Sequence, residues 1–315
     1  MSRAGGLPPA ALAAAALVFN AFVWGVSWWP FRQLQQAGLH PLWATAIVYT
    51  LSMGTIALRW PRAVVELLRT PALWVLVLAS GITNAAFNWA VTIGDVVRVV
   101  LLFYLMPLWA VLLARLLLHE RLTKLAALRV LLGLAGAALV LWPEGGGVPV
   151  PRTLAEALGV VGGFSFALNN VMLRREAGRS DSSRALAMFC GGALVSASAA
   201  LLLQAQVPLP PLPAPGWVFG VAALGLLFLL SNLALQYGAT RLTANATAVI
   251  MLTEVLFASG SALALGAGSL NLRLALGGLL ILAAALLAAL PSASMRAPAA
   301  VAPAELPTPP STRRA

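Results

Sequence analysis

The 315-residue chain is 61% apolar and only 9% charged, against about a quarter charged in an ordinary soluble domain, so its main solvent is a bilayer rather than water. Its formal charge of +11 comes from 20 basic and 9 acidic residues. The basic residues are dispersed over short loops and form no clustered face for phosphate binding, which excludes a nucleic-acid partner. A single Cys190 and two histidines, His40 and His119, exclude a disulfide framework, a multi-cysteine metal cluster and a zinc site; no cofactor or metal is expected.

A helix crossing about 30 Å of hydrocarbon needs about 20 mostly apolar residues. Ten such runs follow one another, at about 10–31, 41–58, 71–93, 96–118, 125–142, 154–173, 185–203, 216–238, 242–266 and 272–290. They are rich in Leu and Ala and lack period-two alternation, which predicts helices and an all-α polytopic membrane protein. Ala10 to Leu17, behind Arg3, matches the apolar part of a signal peptide. The run continues to Phe31 with no polar cleavage region, so a retained first span is expected.

In the first run, Asn20, Trp24 and Trp28 are four apart and share a face. The third carries Asn84 and Asn88 one turn apart. In the fourth, Tyr104 and Met106 flank Pro107, read as a gating hinge or a static kink. The sixth carries Phe166 and Asn169. The eighth carries Asn232 and Gln236 on one face, followed by Tyr237. In the ninth stands Glu254, an ionisable group whose placement at the bilayer centre costs about 2.5–3.5 kcal/mol. It is read as a substrate-ammonium partner, a proton-coupling carboxylate or a structural hydrogen-bonding group. Together these are the candidate substrate-binding residues. A cavity of aromatics and amides with few charges suits an amphipathic solute better than a phosphorylated one. Runs one, three, four, six, eight and nine are expected to line that cavity, with five and ten peripheral. Residues 292–315, rich in Pro, Ala, Ser and Thr, are expected to form a disordered cytoplasmic tail.

Basic residues set the orientation, because cytoplasmic loops carry the excess of Lys and Arg. With the N-terminus inside, sixteen of the 20 basic residues fall on the cytoplasmic side, leaving Arg32, Arg98, Arg152 and Arg273 outside. Both termini are therefore expected in the cytoplasm.

The halves of the chain also align. Asn88, Ala90 and Gly94 match Asn232, Ala234 and Gly238, while Trp109-Ala110 matches Phe257-Ala258. Glu120 to Thr123 matches Gly268 to Asn271, Pro143 matches Pro291, and Phe166 takes the place of Trp24. The expected units are a first five-helix repeat at 1–143 and a second at 144–291. Five is odd, so the second repeat enters the membrane from the opposite side, and the two form an inverted pair of the kind found in secondary transporters.

The five-plus-five pattern, Trp24-Gly25, the segment Phe103 to Trp109, and the Glu120 to Thr123 turn before Gly133 and Gly136 resemble the EamA family of the drug/metabolite transporter superfamily. The second repeat departs from the pattern, with Val255 in the place of Pro107 and Gly268 in the place of Glu120. The resemblance implies an exporter of small metabolites and, within the family, is nearest in character to bacterial aromatic amino-acid exporters of the inner membrane. The expected function is export of small amphipathic metabolites, foremost aromatic or apolar amino acids, across a bacterial-type inner (plasma) membrane by alternating access. The expected partners are that small-molecule substrate and the lipid bilayer. One rival is an exporter of drugs or toxic organic cations. The other, an integral-membrane enzyme acting on lipids, lacks paired acid and base groups beyond the neighbours His119 and Glu120, and no enzymatic activity is expected.

Overall fold

Long runs of Leu, Ala and Val satisfy their backbone polar groups within the helix, the only open-chain solution in hydrocarbon. The computed structural model describes residues 9–117, 119, 123–143, 147–239, 241–242 and 244–289; the side chains of 9, 236, 239, 244–246, 248 and 288–289 are outside this description. Among the described residues every regular element is a helix: α1 (Pro9–Val26), α2 (Trp28–Gln36), α3 (Pro41–Arg59), α4 (Pro61–Arg69), α5 (Pro71–Ile93), α6 (Val96–Phe103), α7 (Met106–Leu117), α8 (Lys124–Leu141), α9 (Leu154–Arg175), α10 (Asp181–Leu202), α11 (Pro215–Ala239), α12 (Ala244–Met251), α13 (Thr253–Ala264) and α14 (Leu272–Ala289). Eight helical stretches are long and apolar enough to cross a membrane, counting α1 with α2 and α6 with α7. The ninth and tenth apolar runs are helical too, but their described apolar stretches, Val249–Ala264 and Leu272–Leu287, are shorter.

Two of the helical runs are broken near their middles. Between α6 and α7 the Leu105 N–H turns back to the Leu102 carbonyl at 3.2 Å, and Pro107 lies in the first turn of α7, where its missing donor is no loss. Between α12 and α13 the Leu252 N–H donates to Val249 and the Val255 N–H to Leu252, at 3.2 and 3.1 Å. The Thr253 hydroxyl occupies the Ile250 carbonyl at 2.7 Å. This second break forms without any proline, a feature composition does not announce. The segment 61–69, taken from sequence as part of a basic loop, is the short helix α4, with Ala63 and Leu67 buried.

Side-chain caps fix several of the other helix starts. His40 Nδ1 accepts from the Leu42 N–H, Asp95 from Arg98, Thr123 from Ala126 and Ser180 from Ser183. Thr153 and Glu156 form a reciprocal capping box. In the packing, α5 lies against α9 and α10, α10 against α3, and α9 against α6 and α7; α1 packs on α11, α12 and α13, and α14 on α8. The α6 segment is buried at every position except Arg98. Gly136 and Gly277 let α8 and α14 touch: a Cβ on either would stand 2.7–2.8 Å from the other's carbonyl oxygen. Outward-facing leucines such as Leu131, Leu226 and Leu279 stay exposed, as lipid-facing side chains should.

Candidate functional site

The two helix breaks meet. Tyr104, at the end of α6, places its hydroxyl 3.2 Å from Glu254 Oε2 and 3.4 Å from the Met251 carbonyl. That carbonyl belongs to the last turn of α12, and Glu254 to the first turn of α13. A carboxylate at a helix start is favoured by the unpaired N–H groups there. From the third side α1 closes on the same point at Gly25, where a Cβ would stand 2.8 Å from the Glu254 carbonyl oxygen and 2.7 Å from Phe257 Cβ. Among the described residues no Lys, Arg or His pairs with Glu254, so its one direct polar partner here is the Tyr104 hydroxyl.

Toward the end of the molecule that holds residues 94–95 and 265–271, a second layer covers this point. The Trp28 indole N–H donates to Ser261 Oγ at 2.9 Å, and the Arg32 guanidinium stands 5.1 Å from the Trp28 ring centroid. Arg32 donates to the Val91 and Gly94 carbonyls at 3.2 and 2.5 Å, tying α2 to the end of α5. Asp95 accepts from the Ser269 N–H and hydroxyl at 2.7 and 3.0 Å. Outside this layer opens a recess of 520 Å³, lined by Arg32, Gln35, Gln36, Asp95, the end of α5 and Gly266 to Ser269.

The amides divide. Asn84 and Asn88 turn toward α3: Tyr49 donates to Asn84 Oδ1 at 2.5 Å, and Asn88 Nδ2 donates to Thr45 Oγ1 at 3.0 Å. Asn88 Oδ1 and Asn169 Oδ1 are buried with no donor among the described residues. Trp24 stacks on Phe228 at 4.6 Å, and Phe166 sits 5.4 Å from Phe103. Met106 is half-buried and, like Trp109, packs against the cluster of Leu113, Ala167 and Val171. Asn232 is half-buried in α11. Tyr237 lies at the opposite end, with the Arg241 guanidinium 3.8 Å from its ring. The Gln236 side chain, residues 120–122 and Pro291 lie outside the described residues.

Tyr104 and Glu254 are thus brought into contact, with Trp28 one layer away, while Asn84 and Asn88 are held by a neighbouring helix. None of the candidate substrate-binding residues lines the recess beside Arg32. Sequence reasoning passed over Arg32, Tyr49, Thr45 and Ser261. Arg32 continues the four-residue series Asn20, Trp24, Trp28. Thr45 and Tyr49 repeat the spacing of Asn84 and Asn88, with which they pair. Both signals were available.

One solved structure, described only as a crystal structure of a protein, is similar with a TM-score of 0.55 and 20% identity, covering 88% of this chain and 96% of that one; the likeness is one of fold. No curated protein matches the sequence significantly. The EamA-like transporter family matches residues 11–142, the stretch containing α1 to α8, the first helix break and the Trp28–Arg32 layer. Over residues 11–142 the chain is thus similar to the EamA-like transporter family.

Proposed function

We propose that the protein is a ten-span secondary transporter, built as two inverted five-helix repeats at 1–143 and 144–291, that exports small amphipathic metabolites by alternating access. Aromatic or apolar amino acids are its foremost substrates. The observation that carries this reading is the meeting of two broken helices at Glu254. Interrupted spans that expose backbone carbonyls and helix starts near the membrane middle are how transporters bind solutes there. The half-buried carboxylate, held by the Tyr104 hydroxyl and with no cationic partner among the described residues, receives the substrate ammonium, and the buried acceptors on Asn88 and Asn169 add further partners. Trp24, Trp28, Asn84, Tyr104, Met106, Phe166, Asn232, Gln236 and Tyr237 line or support the path, and Pro107 sits at the hinge.

Contacts at equivalent positions of the halves support the duplication. Trp109 and Phe257 are equivalent, as are Phe22 and Phe164, each two residues before the matched Trp24 and Phe166. Phe22 meets Phe257 edge-on at 5.4 Å, and Phe164 meets Trp109 edge-on at 5.5 Å. The matched glycines behave alike: Gly94 abuts Ala155 at the start of α9, and Gly238 abuts Ala13 and Leu17 in α1. Exchanging the halves maps each of these contacts onto the other.

The lone carboxylate beside aromatics also favours a second reading, an exporter of organic cations. Uptake into proteoliposomes across a panel of amino acids and organic cations separates the two, and movement of neither overturns the transport reading. Glu254→Gln is expected to lower substrate flux at least about tenfold, the scale of one lost charge-assisted contact. Undiminished flux in that variant would remove Glu254 from the site.

A further inference from the structure

At the end of the molecule opposite the Arg32 recess, α3 and α4 join through Trp60 and form, with the start of α10, a recess of 570 Å³ lined by Arg59, Trp60, Pro61, Arg62, Ala63, Glu66, Ser180 and Ser182. Its charges are unevenly committed. Glu66 is engaged by the Ser180 and Ser183 hydroxyls at 2.9 and 2.6 Å, with Arg179 at 4.0 Å. Those hydrogen bonds, Ser183 first, hold the Glu66 carboxyl below its ordinary range. Arg59 and Arg62 have no carboxylate partner among the described residues; Arg59 lies over the Trp60 ring at 5.3 Å.

The apolar surface beside the recess is continuous with the membrane-facing surface. Along α4, Pro61, Val65 and Leu68 fall on one stripe, and Val65 and Leu68 are exposed. Arg62 and Arg69, seven apart, form a neighbouring stripe, while Ala63 and Leu67 face the protein. Leu58, the last leucine of α3, is 84% exposed. A short helix with an inward anchor, an apolar stripe and flanking arginines lies in the interface between headgroups and acyl chains. Two uncommitted guanidiniums, a tryptophan and the serine hydroxyls at that depth fit one ligand chemistry, a phosphodiester attached to acyl chains.

We infer that this recess binds the headgroup of an anionic phospholipid, with Arg59 and Arg62 on the phosphate, Ser182 donating to it, and Leu58, Val65 and Leu68 against the acyl chains. The bound lipid would pin α4 between α3 and α10. This reading requires only that the chain be embedded in a membrane.

The test is lipid retention by the full-length protein, measured by native mass spectrometry after extraction from vesicles containing equal amounts of phosphatidylglycerol and phosphatidylcholine with the same acyl chains. Retention of phosphatidylglycerol is expected to exceed that of phosphatidylcholine by about tenfold or more, as two surface arginines predict. Arg59→Gln combined with Arg62→Gln is expected to bring the ratio within about twofold, whereas Arg273→Gln at the opposite end leaves it unchanged. Millimolar inorganic phosphate is expected not to displace the lipid. Equal retention of the two lipids, a preference that survives the double substitution, or displacement by phosphate alone would each overturn the assignment. Circular dichroism and gel filtration of the double variant confirm that the comparison is made on folded protein, and the wild-type ratio stands as a test if that variant does not fold.

Discussion

Glu254 and Tyr104 hold each other in place, and the two sides of their contact carry different costs. Removing the phenol leaves the half-buried carboxylate without its direct partner, and an acceptor stripped of its donor there costs up to about 1–3 kcal/mol. Tyr104→Phe is therefore expected to lower the thermal midpoint in detergent measurably. Glu254→Gln keeps an acceptor for the tyrosine and is expected to change stability by less than about 1 kcal/mol while reducing flux. A stability loss in both, with flux intact in the second, would make the pair purely structural. His40 gives the protein a separate pH response. Burial lowers its pKa from the ordinary value of 6.5, because the folded state prefers the neutral ring, whose Nδ1 accepts the Leu42 N–H. The folded state thus binds fewer protons than the unfolded state as pH falls through 6.5, so the cap's contribution is complete above that pH and declines below it. His40→Asn supplies a cap acceptor that does not titrate. Its melting temperature is expected to fall less than that of the wild type between pH 7 and 5.5.

At the scale of the helices, the interrupted spans decide where chemistry can occur. The break at residues 104–105 is followed by a proline in the first turn of α7 and the break at 252 is not, yet both are closed by the same three-residue hydrogen bonds. Proline is therefore compatible with the bend without being its cause. Pro107→Ala is expected to keep the fold and to transport within about twofold of wild type. Val255→Pro, in the first turn of α13, loses the bond to the Leu252 carbonyl and is expected to cost about 1 kcal/mol. Proline at Ala258, in the middle of α13, is expected to cost about 3 kcal/mol or more; thermal melts of the three variants give the order. These elements also mark how far the sequence was legible. Apolar run length located all ten helical regions, because burial in hydrocarbon constrains composition along the whole span. The break near Pro107 was signalled by its residue, but the break at Leu252 was not, since it rests on tertiary contacts such as Tyr104 reaching Met251. The α4 helix was missed because nine residues with two arginines and a glutamate have the composition of a loop. Glu254 and Tyr104 were both legible as candidates, but their contact was not, because it joins residues 150 positions apart.

For the molecule as a whole, charge and repeat symmetry make one linked claim about sidedness. Arg32, Arg98, Arg152 and Arg273 belong to the end of the bundle that carries Asp95, Ser269 and the Pro-rich connection before α11, while Arg62, Arg69, Arg179, Arg184 and Arg241 belong to the other. By the positive-inside rule the second group is expected in the cytoplasm. In the proposed five-plus-five topology an odd number of spans per repeat turns the second half over, so the connection between α10 and α11 is expected outside and that between α9 and α10 inside. Cys190 is buried and is the sole cysteine, so Cys190→Ala provides a background for single reporters with little loss of packing. Leu209 is 69% exposed in the first connection, and Gly178 has open space around it in the second. In intact cells a membrane-impermeant maleimide is expected to label Leu209→Cys and to leave Gly178→Cys unlabelled until the membrane is opened. The reverse pattern would invert the orientation proposed for the two ends of the bundle. Labelling of both from one side would break the five-plus-five topology itself, because no inverted pair of repeats can place consecutive connections on the same face.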